Sequence, residues 1–224
     1  MNDEDNIAWA QDYLDDLLLS LSAMSDDITI VSHSMGARAL LRAVERLDLE
    51  DRGRGGNVRR IVLASPDVDR DQVLRANGTL TRLLSQQNRT VLIYVSQRDI
   101  GNRASQWVHG YARLGSSDCR YDVVFARRSL GRDGNCHLAV SNERLAIVET
   151  SATSADGIFR HHDFVDACAA RVDLAAFFRN NEIKWREPVE RPGESLVGYR
   201  IVPDLITDQQ MAEVCPPEML ERAG

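Results

Sequence analysis

From Ile7 to Leu21 the larger apolar residues fall at Ile7, Ala10, Tyr13, Leu14, Leu17, Leu18 and Leu21, a three-four spacing that paints one face of a helix. Ile28 to Val31 is then a short β-branched run, the pattern of a parallel strand buried on both faces. Helical spacing returns at Ala37, Leu40, Leu41, Val44 and Leu47 and stops at the charged, glycine-rich DLEDRGRGGN. The alternation repeats. Arg60 to Ala64 reads as a strand, DRDQVLRANGTLTRLLSQQ as mostly helix, Val91 to Val95 as a strand, and NRASQWVHGYARL as a helix. A fourth buried run, Leu145 to Val148, leads through ETSATSADGIFRHH into an amphipathic stretch with Val165, Cys168, Ala169, Val172, Ala176 and Phe177 on one side. Four strand-helix alternations imply right-handed crossovers and an α/β fold, a mostly parallel sheet with helices on both faces.

Two regions break the rhythm. Tyr121 to Val140 reads as an inserted hairpin or edge excursion around Gly131-Arg132-Asp133-Gly134. The chain beyond Asn180 holds five of the six prolines and one strand-like run, Leu196 to Val202. The expected organisation is a domain over residues 1–180 and a tail over residues 181–224 that docks on the domain edge.

Composition narrows the function classes. A chain of 224 residues, 43% hydrophobic and 27% charged, has the balance of a globular domain, with no apolar run near the roughly 18 residues of a membrane span. A net charge of −7 without a Lys/Arg block argues against nucleic acid as a partner. Cys119, Cys136, Cys168 and Cys215 lie far apart, without C-x-x-C or metal-ligand spacing, and read as free thiols. The acidic start MNDEDNIAWAQ lacks the basic-then-apolar order of an export signal, so a cytoplasmic location is expected.

In a parallel sheet, chemistry gathers beyond the carboxyl ends of the strands. The first such loop holds Ser32-His33-Ser34-Met35-Gly36, the second ASPDVDRD, the third SQRD ending in Asp99, and the fourth ends in His161-His162. A nucleophile on a sharp strand-to-helix turn needs small residues two before and two after it, and Ser32 and Gly36 satisfy that demand around Ser34. The competing reading is a serine that merely caps a helix. The Met35 N–H, at the start of the following helix, is the candidate oxyanion donor. For the base, His161 takes precedence, with His162 as a helix-start neighbour. His33 reads as a packing or sheet-end residue, and His109 and His137 as surface or core residues. Asp99 takes precedence as the orienting carboxylate, over Asp67 and Asp69, whose segment also reads as turn and capping chemistry.

The segments VSHSMGARALLRAV, ASPDVDRD, YVSQRDIGNRAS with ARLG, and IVETSA followed by FRHHDF resemble the α/β-hydrolase superfamily. They most resemble the bacterial esterase/lipase-like family called domain of unknown function 900, over Ile28 to about Phe178. The resemblance implies a serine esterase with a Ser34, Asp99, His161 triad, a small-molecule ester as substrate, and no metal or organic cofactor. By the resemblance, members of the family usually carry further strands upstream and a His-Gly-aromatic-Asn type loop that looks like the provider of a second oxyanion donor. This chain has one helix before Ile28, so a hydrolase core lacking its N-terminal strands is expected. Arg160 stands where relatives tend to have glycine. The free flank of the Ile28 strand is expected to be covered by the amino-terminal helix or by a second copy of the chain. A hydrolase-like domain with impaired catalysis and a binding or assembly role is the alternative.

Overall fold

The computed structural model describes residues 3–50, 52–86, 88–116, 143–153, 161–189 and 198–220. In chain order the helices are α1 (Asp3–Met24), α2 (Gly36–Glu50), α3 (Arg52–Gly55), α4 (Arg70–Leu74), α5 (Thr79–Leu83), α6 (Ile100–His109), α7 (Asp163–Asp166), α8 (Cys168–Arg179), α9 (Asp208–Val214) and α10 (Pro217–Leu220). The strands are β1 (Ile28–His33), β2 (Val58–Ala64), β3 (Thr90–Val95), β4 (Leu145–Glu149), β5 (Arg186–Pro188) and β6 (Tyr199–Ile201). They form a sheet of order β1-β2-β3-β4-β6-β5, parallel except for the β5–β6 pair.

The uninterrupted apolar runs are explained by burial on two faces. Successive side chains of a strand point to opposite sides, so Ile61 and Leu63 join Leu40, Val44, Leu80 and Leu83 in one core layer. Val62 and Ala64 join Tyr94, Ala170, Val172 and Trp185 in the other. The sheet is mixed and flanked by helices on both faces. His33, Ala64, Tyr94 and Val148 lie side by side across four strands. The loops that follow them therefore open at one level, along one margin of the sheet.

Several expectations change in detail. The long helix expected after β2 is two short ones, α4 and α5, parted by the Arg75 to Gly78 turn. Helix α1 does not lie along the outer edge of β1. Its Leu14 and Leu18 pack into the core layer that α2 covers, and Gln11 and Asp15 bond Ala39 and Arg46 of α2. Residues 121–140, expected as a hairpin, and Cys119 and Cys136 lie outside the described residues.

Beyond Asn180 the chain adds β6 to β4, and β5 beyond it. A buried carboxylate ties this segment down. Asp173 accepts from Tyr94 Oη at 2.6 Å, Trp185 Nε1 at 3.0 Å, and Arg186 Nε and Nη2 at 2.8 and 2.7 Å. The free-thiol expectation is corrected for two cysteines, because Cys168 and Cys215 form a disulfide. Their separation of 47 residues left no local spacing to read; they meet because α9 packs back on α8.

Candidate functional site

Ser34 sits where β1 turns into α2, with φ of 53°, in the left-handed region that costs a residue with a side chain. Its N–H donates to the Ala64 carbonyl at 3.1 Å, and its carbonyl accepts from the Asp67 N–H at 3.1 Å. The turn is thus held from the β2 side. The Met35 N–H meets no hydrogen-bond acceptor among the described residues, which leaves it available at the mouth of α2.

Asp99 is fully buried and caps the first turn of α6. One oxygen accepts from the Asn102 N–H at 2.8 Å, and the other from Asn102 Nδ2 at 2.7 Å. His161 Nδ1 lies 2.8 and 2.9 Å from the two oxygens. Nδ1 faces both oxygens of this acceptor, so it carries the N–H of the contact and Nε2 is left with the free lone pair. No hydrogen bond joins Ser34 Oγ to His161 among the described residues.

Two glycines make the contact sterically feasible. A Cβ on Gly101 would stand 2.9 Å from His161 Nδ1 and 3.3 Å from Asp99 Oδ1. A Cβ on Gly115 would stand 2.3 Å from Asn102 Nδ2. The same Nδ2 also donates to the Ser65 carbonyl at 3.0 Å, so the Asn102 amide links the loop after β2 to Asp99.

His33 supports the histidine loop. Its Nε2 donates to the main-chain carbonyl of His161 at 2.9 Å. Its ring lies 4.6 Å from that of His161, 4.7 Å from His162 and 5.2 Å from Phe164. Burial lowers its pKa below the ordinary histidine value, only partly opposed by the hydrogen bond. His33 is thereby kept neutral, with the proton on Nε2. His162 stands at the N-cap of α7, and the His109 ring at the end of α6 lies tilted 5.9 Å from that of Tyr111.

The rival carboxylates have other partners. Asp67 faces the Arg113 guanidinium, with Nε 2.8 Å from Oδ1, and accepts from Ser105 Oγ at 2.8 Å. Its carbonyl accepts from Arg38 Nε at 2.7 Å. Asp69 caps α4, accepting from the N–H groups of Asp71 and Gln72. Neither contacts a histidine among the described residues. Among those residues there is also no grouping of three or more His, Cys, Asp or Glu side chains that could hold a metal ion, and no helix long and apolar enough to cross a membrane.

A family model covers most of the chain. Residues 1–170 match the family described as alpha/beta hydrolase of unknown function (DUF900). The chain belongs to this family. The match begins at residue 1, so the likeness to DUF900 takes in α1 as well as the segment from Ile28. No curated protein and no solved structure matches the chain.

For this DUF900 member, sequence reasoning missed the residues that hold the pair together: Gly101, Asn102, Gly115 and the supporting face of His33. A signal existed for three of them. Gly101 and Asn102 stand in the quoted DIGN string and Gly115 in ARLG, yet nothing in the spacing says that the second glycine packs against the asparagine. Arg160 and His137 lie outside the described residues.

Proposed function

We propose that the protein is a serine hydrolase acting on carboxylic esters. Ser34 Oγ attacks the acyl carbonyl while His161 Nε2 takes its proton. Asp99 holds the imidazole by Nδ1 and stabilises the cation that forms. The Met35 N–H donates to the oxyanion. The tetrahedral intermediate collapses as His161 returns the proton to the leaving alkoxide, and water then repeats the sequence on the acyl-enzyme. No metal or organic cofactor enters these steps.

The single observation that carries the reading is the His161–Asp99 contact at 2.8 Å, made by a fully buried carboxylate with the His161 ring beside that of His33, the last residue of β1 before Ser34. A polar pair of this kind gains nothing for a core that an apolar pair would not supply, whereas a general base needs it. A fluorophosphonate probe tests the assignment: labelling is expected for the wild-type chain and lost in Ser34→Ala and His161→Ala. Equal labelling of wild type and Ser34→Ala removes it.

One observation favours the competing reading of a hydrolase-like domain that binds or assembles without turnover, namely the lack of a hydrogen bond between Ser34 Oγ and His161 among the described residues. Catalytic hydrogen bonds are often loose before substrate binds. The two readings part in the same experiment, since the second expects no probe labelling at Ser34 in a folded protein.

A further inference from the structure

Two unpartnered features run along one margin of the molecule. The first is the outer edge of β1, which among the described residues pairs only with β2. The Ile28 N–H donates to Asn57 and the Ser34 N–H to Ala64, so the even-numbered residues of this parallel ladder bond β2. Thr29, Val31 and His33 turn their main-chain N–H and C=O groups outward. The Val31 side chain is 43% exposed as well. Free strand edges of this kind are templates for pairing.

The second feature is on α1. Trp9, Tyr13, Leu17, Leu21 and Met24 follow one another at helical spacing, and all are exposed, Trp9 at 70%, Tyr13 at 65% and Met24 at 83%. They form a stripe away from Leu14 and Leu18, which face the core.

The stripe and the edge lie at the same height. Gln11 bonds Ala39 near the start of α2, while Ser22 accepts from Asn57, which lies beside Ile28. Helix α1 therefore descends antiparallel to β1. Leu17 stands about 10 Å back from the helix end at 1.5 Å per residue, and Val31 about 10 Å along the strand at 3.3 Å per residue.

We infer that this margin is the contact between two copies of the chain, related by a two-fold axis perpendicular to the sheet that passes close to Val31 and Leu17. One such axis satisfies both features together. It pairs β1 antiparallel with β1 of the second copy, joining the two sheets. It also lays the α1 helices antiparallel, with Leu17 against Leu17, Tyr13 against Leu21 and Trp9 against Met24. Two such stripes bury on the order of 1,000 Å² before the strand edges are counted, which reaches the range of specific contacts. A partner must bring a free strand edge flanked by an apolar helix at matching height, and this chain has both. The inference is independent of the ester-hydrolase reading.

Sedimentation equilibrium of the full chain over a range of concentrations tests it, with circular dichroism as the check on folding. The wild-type chain is expected at twice its own mass. Leu17→Lys and Val31→Lys each place two ammonium groups face to face across the axis, and each is expected to weaken association at least about tenfold. Both side chains are exposed in a single copy, so neither change unfolds it. Leu49→Lys, at an exposed apolar residue of α2 away from the stripe, is expected to leave association unchanged. Asp12 and Asp16 flank the stripe, so association should tighten as salt rises. A monomeric wild type, an effect of only one of the two lysine variants, an equal effect of Leu49→Lys, or association that weakens with salt each overturns the inference.

Discussion

His33 Nε2 donates to the carbonyl of His161 across 2.9 Å, so the residue that precedes Ser34 also fixes the backbone of the histidine that faces Asp99. The last residue of β1 and the loop before α7 are joined by one imidazole. His33→Ala is expected to lower kcat about tenfold or more with little change in KM, because the base is displaced and substrate contacts are not. His33→Gln, which keeps an N–H donor, should recover part of the loss. Steady-state hydrolysis of a soluble ester separates these outcomes.

The same residue sets a pH dependence. Burial holds the His33 pKa below the ordinary histidine value, so the unfolded chain binds this proton more readily than the folded one. Its contribution is fully present above the unfolded value and declines as pH falls from there toward the lower folded value. Stability is expected to drop on acidification below about pH 6.5, and the drop should be smaller in His33→Gln. Urea unfolding of both proteins at a series of pH values measures the difference.

Gly101→Ala separates stability from site geometry. Alanine is the better helix former by about 1 kcal/mol, yet its Cβ would stand 2.9 Å from His161 Nδ1. The expected result is a chain that unfolds no earlier than wild type but loses about 100-fold in kcat/KM, the typical cost of a displacement near 1 Å. Thermal unfolding and ester hydrolysis, run side by side, check both halves.

Asp173 is a stability determinant with no contact to the site. Asp173→Ala strands the Arg186 guanidinium and the Tyr94 hydroxyl that now bond it. Removing one partner of a buried ion pair costs about 3–5 kcal/mol. Urea unfolding should show a loss of this size.

The disulfide closes a loop of 47 residues between Cys168 and Cys215, and its removal by Cys168→Ser with Cys215→Ser is expected to cost about 2–4 kcal/mol. Reductant should lower the melting temperature of the wild-type chain and leave the double variant unmoved. Thiol titration with and without reductant counts the bond directly. Its persistence in protein as isolated from cells would point to an oxidising compartment, against the cytoplasm expected when all four cysteines read as free.

The fold was legible because its signals are local and strong. Val91 to Val95 could hardly be other than a strand buried on two faces, and Ala37 to Leu47 repeats at helical spacing. Loop order put Ser34, Asp99 and His161 beyond the carboxyl ends of β1, β3 and β4, where the chain has them. What escaped the sequence was long-range. Cys168 and Cys215 carry no mutual signal. The Asn102 amide reaches Ser65 and Asp99 together only once the sheet has brought those loops to one level. The path of α1 was also out of reach, since its apolar face shows that it packs on something but not that the something is α2. Tail elements β5 and α9 escaped for a related reason: three-residue pairing and a helix of about two turns lie below what periodicity resolves.

The bond between Cys168 and Cys215 turns residues 168–215 into a closed covalent ring that contains α8, β5, β6 and α9. A protease that cuts once inside this ring releases no fragment: the nicked chain migrates whole until the disulfide is reduced, and only then separates into two pieces. The carboxyl-terminal strands can thus be severed in sequence while they stay attached to the helix that covers the sheet.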